Sequence, residues 1–190
     1  MESLRDVILE KKIGAAIRRP EDLEEAIRHP NIKVIFLLNG DINYLPQMVK
    51  RVRAADKPLL VHIDLMEGIG KDRSGIHLLK RIGVSGIVTT KSSLVKYANE
   101  EEVFVIQRLF IVDSESIKTA IRVAGHVKPT AVEILPAIVP ARIIKEIKNA
   151  LALPVLGGGL LKTEDDVREA LSKGMDAIST SLRHLWNITF

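Results

Sequence analysis

Two short clusters near the end of the chain, one of glycines and one of serine and threonine, contain the residue types that bind a phosphate group. Gly157-Gly158-Gly159 follows the apolar Val155-Leu156, and a helix start comes soon after it at Thr163. Glycine lets backbone N–H groups approach an anion closely, and the positive end of a helix dipole favours the same charge. Ser179-Thr180-Ser181 follows the next apolar run and adds hydroxyl donors. We therefore expect both clusters to bind phosphate, with a tight turn as the alternative for the glycines.

Other polar residues follow or interrupt the earlier apolar runs. If those runs are the strands of one parallel barrel, their carboxyl ends meet at a single mouth. The mouth would then combine carboxylates, cations, an amide and hydroxyls, which suits a small ligand with an anionic end and hydroxyl groups. Glu133 needs a partner inside its apolar run, for which Arg108 and Lys91 are candidates, and a structural ion pair is the alternative. We expect these residues to line the ligand site: Asp64, Lys91, Gln107, Arg108 and Glu133.

His62-Ile63-Asp64 places a histidine and a carboxylate two residues apart on one strand. Side chains alternate along a strand, so this pair could form part of a metal site or act as an acid and a base. No third ligand is apparent, so we expect no metal and interpret Asp64 as an acceptor for ligand hydroxyls. The alternative to a chemical role for His62 is that it packs inside the barrel. The following loop, from Gly68 to Gly75, could close over a ligand or form a charged surface turn.

The elements that position these residues repeat along the chain as a short apolar run followed by an amphipathic stretch. Most of the runs are rich in Val and Ile with little alternation, which is typical of parallel strands buried on both faces. The eight runs are Ile13–Ile17, Ile32–Leu38, Pro58–Leu65, Gly86–Thr89, Val103–Phe110, Ala131–Leu135, Pro154–Leu156 and Ala177–Ser179.

The stretches between the runs predict helices from their apolar spacing and their start signals. The starts are Pro20, a stretch around Leu45, a stretch around Ile76, Ser93 for a short helix, Ser114 or Ser116, Pro140, Thr163 and Leu182. Eight strands alternating with about eight helices predict one α/β domain over residues 1–190, a compact (β/α)8 TIM-like barrel. Such barrels typically have about 250 residues, so this one must be trimmed. The alternative is an open doubly wound parallel sheet in which the weakest runs are not strands.

Composition excludes several classes of function. The chain has 190 residues, 46% of them hydrophobic, and no apolar stretch approaches the length of a membrane span. It has no cysteine, which excludes disulfides and thiolate chemistry and fits a cytoplasmic protein. The net charge of +4 would favour a polyanion, although only 4% of the residues are aromatic, so no base-stacking surface is visible.

Six short motifs follow one another along the chain. They are Val61-His62-Ile63-Asp64-Leu65 with Gly68, Gly86-Ile87-Val88-Thr89-Thr90-Lys91, Ile106-Gln107-Arg108-Leu109-Phe110 with Asp113-Ser114, Glu133-Ile134-Leu135-Pro136, Gly157-Gly158-Gly159-Leu160, and Ser179-Thr180-Ser181 with Leu185-Trp186. In this order they resemble the motifs of the bacterial glycerol uptake operon antiterminator proteins. The resemblance covers roughly Ile13 to Trp186, with Gly157 at a position where we expect alanine in the family, and Thr90-Lys91 in place of a serine and a variable residue.

The resemblance implies a regulator that senses glycerol 3-phosphate and binds leader mRNA, so that transcription reads past a terminator. It implies a phosphate on the glycine and serine-threonine loops, with Asp64, Gln107, Arg108 and Glu133 at the glycerol end, and no cofactor. The residues themselves leave two alternatives open: a barrel enzyme acting on a small phosphorylated polyol or sugar, and a non-catalytic barrel with a protein partner. A homo-oligomer also stays open, and the sequence does not place an RNA surface.

Overall fold

The computed structural model describes residues 3–190, which form a closed parallel β-barrel surrounded by helices. The order of strands around the barrel is β1-β10-β9-β8-β7-β6-β4-β2, and the remaining two strands form a small parallel pair beside it. The strands are β1 Ile13–Ile17, β2 Ile35–Leu37, β3 Gly40–Asp41, β4 Leu59–His62, β5 Met66–Glu67, β6 Gly86–Thr89, β7 Phe104–Phe110, β8 Ala131–Leu135, β9 Val155–Gly158 and β10 Ala177–Thr180.

The closed barrel confirms the predicted (β/α)8 fold, and the open doubly wound sheet is wrong. Strand β1 pairs with β10 on one side and with β2 on the other, which leaves no sheet edge. Both of the weakest predicted runs, around Gly86 and around Pro154, contain barrel strands. The barrel is small because seven of its eight strands have only three to five residues.

Seven helices follow barrel strands, as the apolar spacing predicts, but the last predicted helix does not form. A 3-10 helix at Arg183–Asn187 stands in its place, and a second 3-10 helix, Ile63–Leu65, continues from β4. No helix of the described chain is long and apolar enough to cross a membrane. The helices are α1 Leu4–Lys11, α2 Pro20–Arg28, α3 Leu45–Ala54, α4 Arg73–Ile82, α5 Ser92–Glu100, α6 Ser114–Val127, α7 Ala141–Leu151 and α8 Glu164–Ser172.

Helix α1 precedes the barrel and was not predicted from the sequence. Its N-cap is Ser3, whose side chain accepts a hydrogen bond from the backbone N–H of Asp6. Leu4, Val7 and Ile8 pack against the apolar residues of the barrel interior, so α1 covers one end of that interior. Only Ile8 is buried in this eight-residue helix. Leu4, Val7 and Ile8 do have helical spacing, but an eight-residue helix repeats the pattern too few times to be recognised from the sequence.

The apolar core has two layers, as expected of a barrel surrounded by helices. The larger layer fills the space between the strands and the helices. The smaller layer fills the barrel interior and includes Phe36, Leu60, Val88, Ile106 and Leu156. Residues that follow these along each strand with the same parity also face the interior, closer to the carboxyl ends of the strands.

Candidate functional site

The carboxyl ends of the strands surround a cavity of about 360 Å³. It lies on the side of the mouth formed by β7, β8, β9, β10 and β1, and both predicted phosphate clusters contribute to its wall. The volume falls within the range of small-molecule sites. The lining residues are Ala16, Arg18, Leu38, Arg108, Glu133, Leu135, Gly158, Gly159, Leu160, Leu161, Lys162, Ser179, Thr180, Ser181 and Leu182.

Small residues on two strands create this space. The register places Ala16, Gly158, Arg108 and His62 on alternate strands of the barrel, where interior side chains form one layer of four. Two members of the layer have long polar side chains, and the other two have a methyl group or none. The layer is therefore filled on the side of His62 and Arg108 and open on the side of Ala16 and Gly158.

A hydrogen-bonded network of three buried or nearly buried side chains forms the base of the cavity. Glu133 is 1% exposed and accepts a hydrogen bond at Oε2 from Arg108 Nε, at 2.6 Å. Its other oxygen accepts a short hydrogen bond from Ser179 Oγ. The partner of Glu133 is therefore Arg108 rather than Lys91. Both carboxylate oxygens are engaged, so Glu133 mainly orients Arg108 and Ser179, with only its remaining lone pairs available to a ligand.

Arg108 presents its unused nitrogens to the cavity. Its side chain is 9% exposed, and its Nε atom makes the ion pair with Glu133. Within residues 3–190, the two terminal nitrogens have no hydrogen-bond partner. A guanidinium held at one nitrogen and open at the other two can bind an anion or hydroxyl oxygens through its free edge.

The three glycines have three different structural roles. A Cβ on Gly157 would clash with Met175 and Ala137, so this residue packs outward against the helix layer. A Cβ on Gly158 would lie 2.8 Å from Ser179 Oγ and 2.9 Å from Glu133 Oε1, which are network atoms. Gly159 has a φ of +74°, and it turns the chain away from β9. Only the third glycine therefore has the conformational freedom that we expected of the whole run.

Backbone N–H groups around the cavity are candidate donors to an anion. In the described chain, the N–H groups of Gly159, Leu160, Leu161 and Ser181 make no backbone or side-chain hydrogen bond. All four residues line the cavity. Leu160 also has a positive φ, of +62°, so two consecutive peptides turn within this loop. Free N–H groups on adjacent loops of a barrel mouth can bind a phosphate without rearrangement.

Ser179, Thr180 and Ser181 also differ in role because side chains alternate along β10. Ser179 belongs to the Glu133 network, and Ser181 lines the cavity just beyond the strand. Thr180 Oγ1 accepts a hydrogen bond from the Leu182 N–H, at 3.2 Å. The Thr180 carbonyl accepts one from Nε1 of the buried Trp186, at 3.0 Å. Thr180 therefore holds the loop that carries Ser181.

Asp64 and Lys91 lie across the mouth, outside the lining of this cavity. Asp64 Oδ1 accepts from Thr89 Oγ1, at 2.6 Å, and Oδ2 accepts from both the N–H and the hydroxyl of Thr90. Burial would raise the pKa of Asp64, but these hydrogen bonds outweigh it and the pKa is lowered. Asp64 is thus a carboxylate that ties the end of β4 to the end of β6.

Two lysines accompany Asp64 on this side. Lys71 donates a short hydrogen bond to the Met66 carbonyl, which holds the loop after β5. Burial lowers the pKa of Lys71, and the charges of Asp64 and Lys91 also act on it with opposite signs. This side of the mouth therefore carries two cations close to one carboxylate. The structure brings Lys71 close to predicted site residues, although the sequence did not separate it from a surface turn.

His62 is a buried interior residue of β4, in agreement with its packing interpretation. It is 3% exposed, and its Nδ1 atom has no hydrogen-bond partner in the described chain. Burial, followed by the charge of Arg108, lowers the pKa of His62, while Asp64 and Glu133 act in the opposite direction. The imidazole is therefore neutral at pH 7. Residues 3–190 contain no group of three His, Asp or Glu side chains that could hold a metal.

Gln107 does not reach the mouth. It neighbours Arg108 on β7, so the two side chains leave opposite faces of the strand. Val105 and Leu109, which share the Gln107 face, pack in the outer layer beneath the helices. Gln107 is 1% exposed there, and its Oε1 atom has no partner in the part of the chain that the structure describes.

Eight of the fifteen cavity residues were missing from the predicted site, and among them Arg18, Lys162 and Leu160 add charge or a hydrogen-bond donor. Arg18 follows β1 and Lys162 follows the glycine turn, so each brings a cation to the wall. Leu160 contributes a free backbone N–H rather than a side chain. Arg18 could be found as the polar residue that ends the first apolar run. A donor that belongs to the backbone leaves no residue-type signal.

The assembled site can hold a small anion with a polar extension. Free N–H groups, the Ser181 hydroxyl and the cations Arg18, Arg108 and Lys162 surround one space of 360 Å³. Among the described residues, Glu133 is the single carboxylate on its wall, and both of its oxygens already accept hydrogen bonds. The arrangement therefore favours binding over proton transfer.

Comparisons with known proteins show which family this chain resembles. The family model described as glycerol-3-phosphate responsive antiterminator matches residues 13–186. A protein of Escherichia coli strain K12, YgcP, is 32% identical over 186 residues, which are 97% of this chain and 96% of that protein.

Two solved structures have the same fold over nearly the whole chain. The glycerol uptake operon antiterminator regulatory protein of Listeria monocytogenes is 29% identical with a TM-score of 0.87, covering 94% of this chain and 96% of that one. A glycerol uptake operon antiterminator-related protein of Thermotoga maritima is 30% identical with a TM-score of 0.84, covering 93% and 98%. Aldolases at 10–15% identity share the fold alone. This chain belongs to the glycerol-3-phosphate responsive antiterminator family.

Proposed function

We propose that this protein is a cytoplasmic regulator that binds glycerol 3-phosphate at the barrel mouth and leader mRNA elsewhere on its surface. Binding of the metabolite raises RNA affinity, and transcription then reads past a terminator ahead of glycerol-uptake genes. The description of the family supports the metabolite and the outcome. The net charge of +4 is compatible with a polyanionic partner.

One observation carries the assignment of the ligand site. Four unpaired N–H groups, at Gly159, Leu160, Leu161 and Ser181, line the same cavity as the free edge of Arg108. The phosphate binds the N–H groups, with Arg18 and Lys162 adding positive charge. The glycerol hydroxyls face Arg108 and the remaining lone pairs of Glu133. Asp64 and Lys91 act from the opposite side of the mouth.

We also propose that the chain does not turn over its ligand. A general base must reach the proton that it removes, and it must be free to accept that proton. Glu133 already accepts hydrogen bonds from Arg108 and Ser179. Incubation of saturating glycerol 3-phosphate with the protein should therefore return the ligand unchanged by mass spectrometry. Accumulation of any product in proportion to protein concentration would support the enzyme alternative.

Thermal unfolding tests the ligand assignment. Glycerol 3-phosphate should raise the melting temperature more than inorganic phosphate does, and glycerol should have little effect, because stabilisation at a given ligand concentration increases with the logarithm of the ligand's affinity. Arg108→Met should weaken the response. Lys145→Ala, at an exposed and unpaired lysine of α7, is the control and should respond like the wild type. Equal stabilisation by phosphate and glycerol 3-phosphate would contradict a glycerol subsite.

A further inference from the structure

A groove on the outside of the barrel, between α5 and α6, is separate from the metabolite cavity. Its volume is about 690 Å³, compared with 360 Å³ at the mouth. Ser92, Ser93, Lys96, Tyr97 and Glu100 line it from α5, and Arg122, Val123, His126 and Val127 line it from α6. Within each helix these residues lie three or four apart, which places them on one face.

The charged side chains of this groove leave a positive excess. Lys96 and Arg122 have no hydrogen bond or ion pair with any other described residue. The acidic residue of the groove, Glu100, lies 3.3 Å from Arg73, a cation that it shares with Glu101. With two cations and one carboxylate, the lining keeps a net positive charge. Unpaired cations around a concave surface create a potential that attracts an anionic partner.

The floor of the groove differs from its rim. Val127 is buried, and Val123 and Tyr97 are half-buried, so the floor offers apolar surface and part of one aromatic ring. A simple anion does not need an apolar floor. A strand of unpaired nucleotides does, because its bases rest on apolar and aromatic groups while its phosphates meet the cations.

The groove begins beside the metabolite mouth. Helix α5 starts at Ser92, two residues after Thr90, which donates two hydrogen bonds to Asp64. Lys91 lies between them, and its N–H is held by Thr89 Oγ1, at 3.1 Å. Lys91 and Lys71 thus extend the positive rim from the groove to the mouth. A change at the mouth can reach the groove through this one turn of chain.

We propose that the groove between α5 and α6 binds a single-stranded RNA segment, with Lys96 and Arg122 on the phosphates and Tyr97 against a base. This assignment rests on the proposed function, since it names the surface that the RNA partner contacts. RNA rather than a protein helix is the occupant because two unpaired cations flank a groove whose floor contains a half-buried aromatic ring.

Filter binding tests this surface with an RNA pool that the wild-type protein enriches from randomised single-stranded RNA in the presence of glycerol 3-phosphate. The variant K96A/R122A should lose RNA affinity by at least about tenfold, because it removes two weak contacts to phosphates. The slope of log affinity against log salt should become shallower by about 1.4, because each phosphate contact on a single strand contributes about 0.7.

The control K50A/K145A removes the same charge from exposed, unpaired lysines on α3 and α7 and should keep both affinity and slope. Thermal stabilisation by glycerol 3-phosphate should be unchanged in both double variants. If K96A/R122A binds the pool as the wild type does, the groove assignment is wrong while RNA binding stands. If the wild type enriches no RNA, both proposals fail.

The groove could instead bind protein, and sedimentation of the same proteins separates that case. A wild-type dimer that K96A/R122A converts to monomer would overturn the RNA assignment and make the groove a contact between two copies. An unchanged oligomeric state of K96A/R122A together with its loss of RNA affinity supports the RNA assignment. Y97L, which keeps apolar volume and removes the ring, should weaken RNA binding without changing the charge.

Discussion

Gly158 lies so close to Ser179 that a Cβ on the glycine would stand 2.8 Å from the serine Oγ. The serine cannot move aside, because it donates to Glu133, which in turn holds Arg108. The glycine run therefore serves the site in two ways. Its second residue makes room for the polar network, and its third turns the chain so that N–H groups line the cavity.

Gly158→Ala should destabilise the protein by about 1–3 kcal/mol, the usual range for adding an atom to a packed site. It should also weaken binding of glycerol 3-phosphate, because the network beneath the cavity must shift. Urea unfolding and calorimetry measure the two effects. Gly125→Ala, in α6, is the matched control, because a Cβ there would meet only the Leu151 side chain of α7, at 3.7 Å. Alanine should stabilise this exposed helical position by up to about 1 kcal/mol. Equal stabilities for the two variants would contradict the crowding described here.

The Arg108–Glu133 pair should show strong coupling in a double-mutant cycle. Arg108→Met leaves a buried carboxylate without its cation, and Glu133→Gln leaves a nearly buried cation without its anion, so each should cost about 3–5 kcal/mol. The double variant should be less destabilised than the sum by at least about 1 kcal/mol. The exposed Glu164–Arg168 pair on α8 is the control and should couple by less than about 0.5 kcal/mol. Additive costs for the buried pair would show that the two residues act independently.

Much of the fold was predictable because the barrel strands are buried on both faces and are nearly continuous apolar runs. The site was less predictable, since burial does not show which face a polar residue occupies. Gln107 and Arg108 were both assigned to the mouth, although neighbours on a strand point to opposite faces. The same alternation separates Thr180 from Ser179. Leu160 could not be found at all, because its contribution is a backbone N–H.

Stability should fall in acid partly through Asp22. The Arg19 side chain holds the pKa of this buried carboxyl below its ordinary value of 3.8, against the effect of burial, and Arg183 adds to the effect. The folded state thus binds fewer protons than the unfolded state near pH 3.8. This contribution is complete above pH 3.8 and is lost as the pH falls through the lower folded value.

Urea unfolding of the wild type and Asp22→Asn at pH 7 and at pH 3 measures this contribution. The difference in unfolding free energy between them should be smaller at pH 3. Asp165→Asn, in the first turn of α8 and without a side-chain partner in the described chain, is the control. A difference for Asp22→Asn that is constant from pH 7 to pH 3 would show that the carboxylate charge is not what stabilises this contact.

Trp186 should report ligand binding. It is the single tryptophan of the chain, it is fully buried, and its Nε1 donates to the Thr180 carbonyl next to the Ser181 loop. Titration with glycerol 3-phosphate should change its emission with the same midpoint that calorimetry gives. Arg108→Met should move both midpoints together. A calorimetric signal with constant emission would place the ligand away from the β10 loop.

A crystal structure of the protein with glycerol 3-phosphate tests the central claim most directly. The account predicts phosphate oxygens within hydrogen-bond distance of the N–H groups of Gly159, Leu160 or Leu161 and of Ser181, with the glycerol end toward Arg108. Phosphate density confined to the Lys71 and Lys91 side of the mouth, or to the groove between α5 and α6, would contradict it.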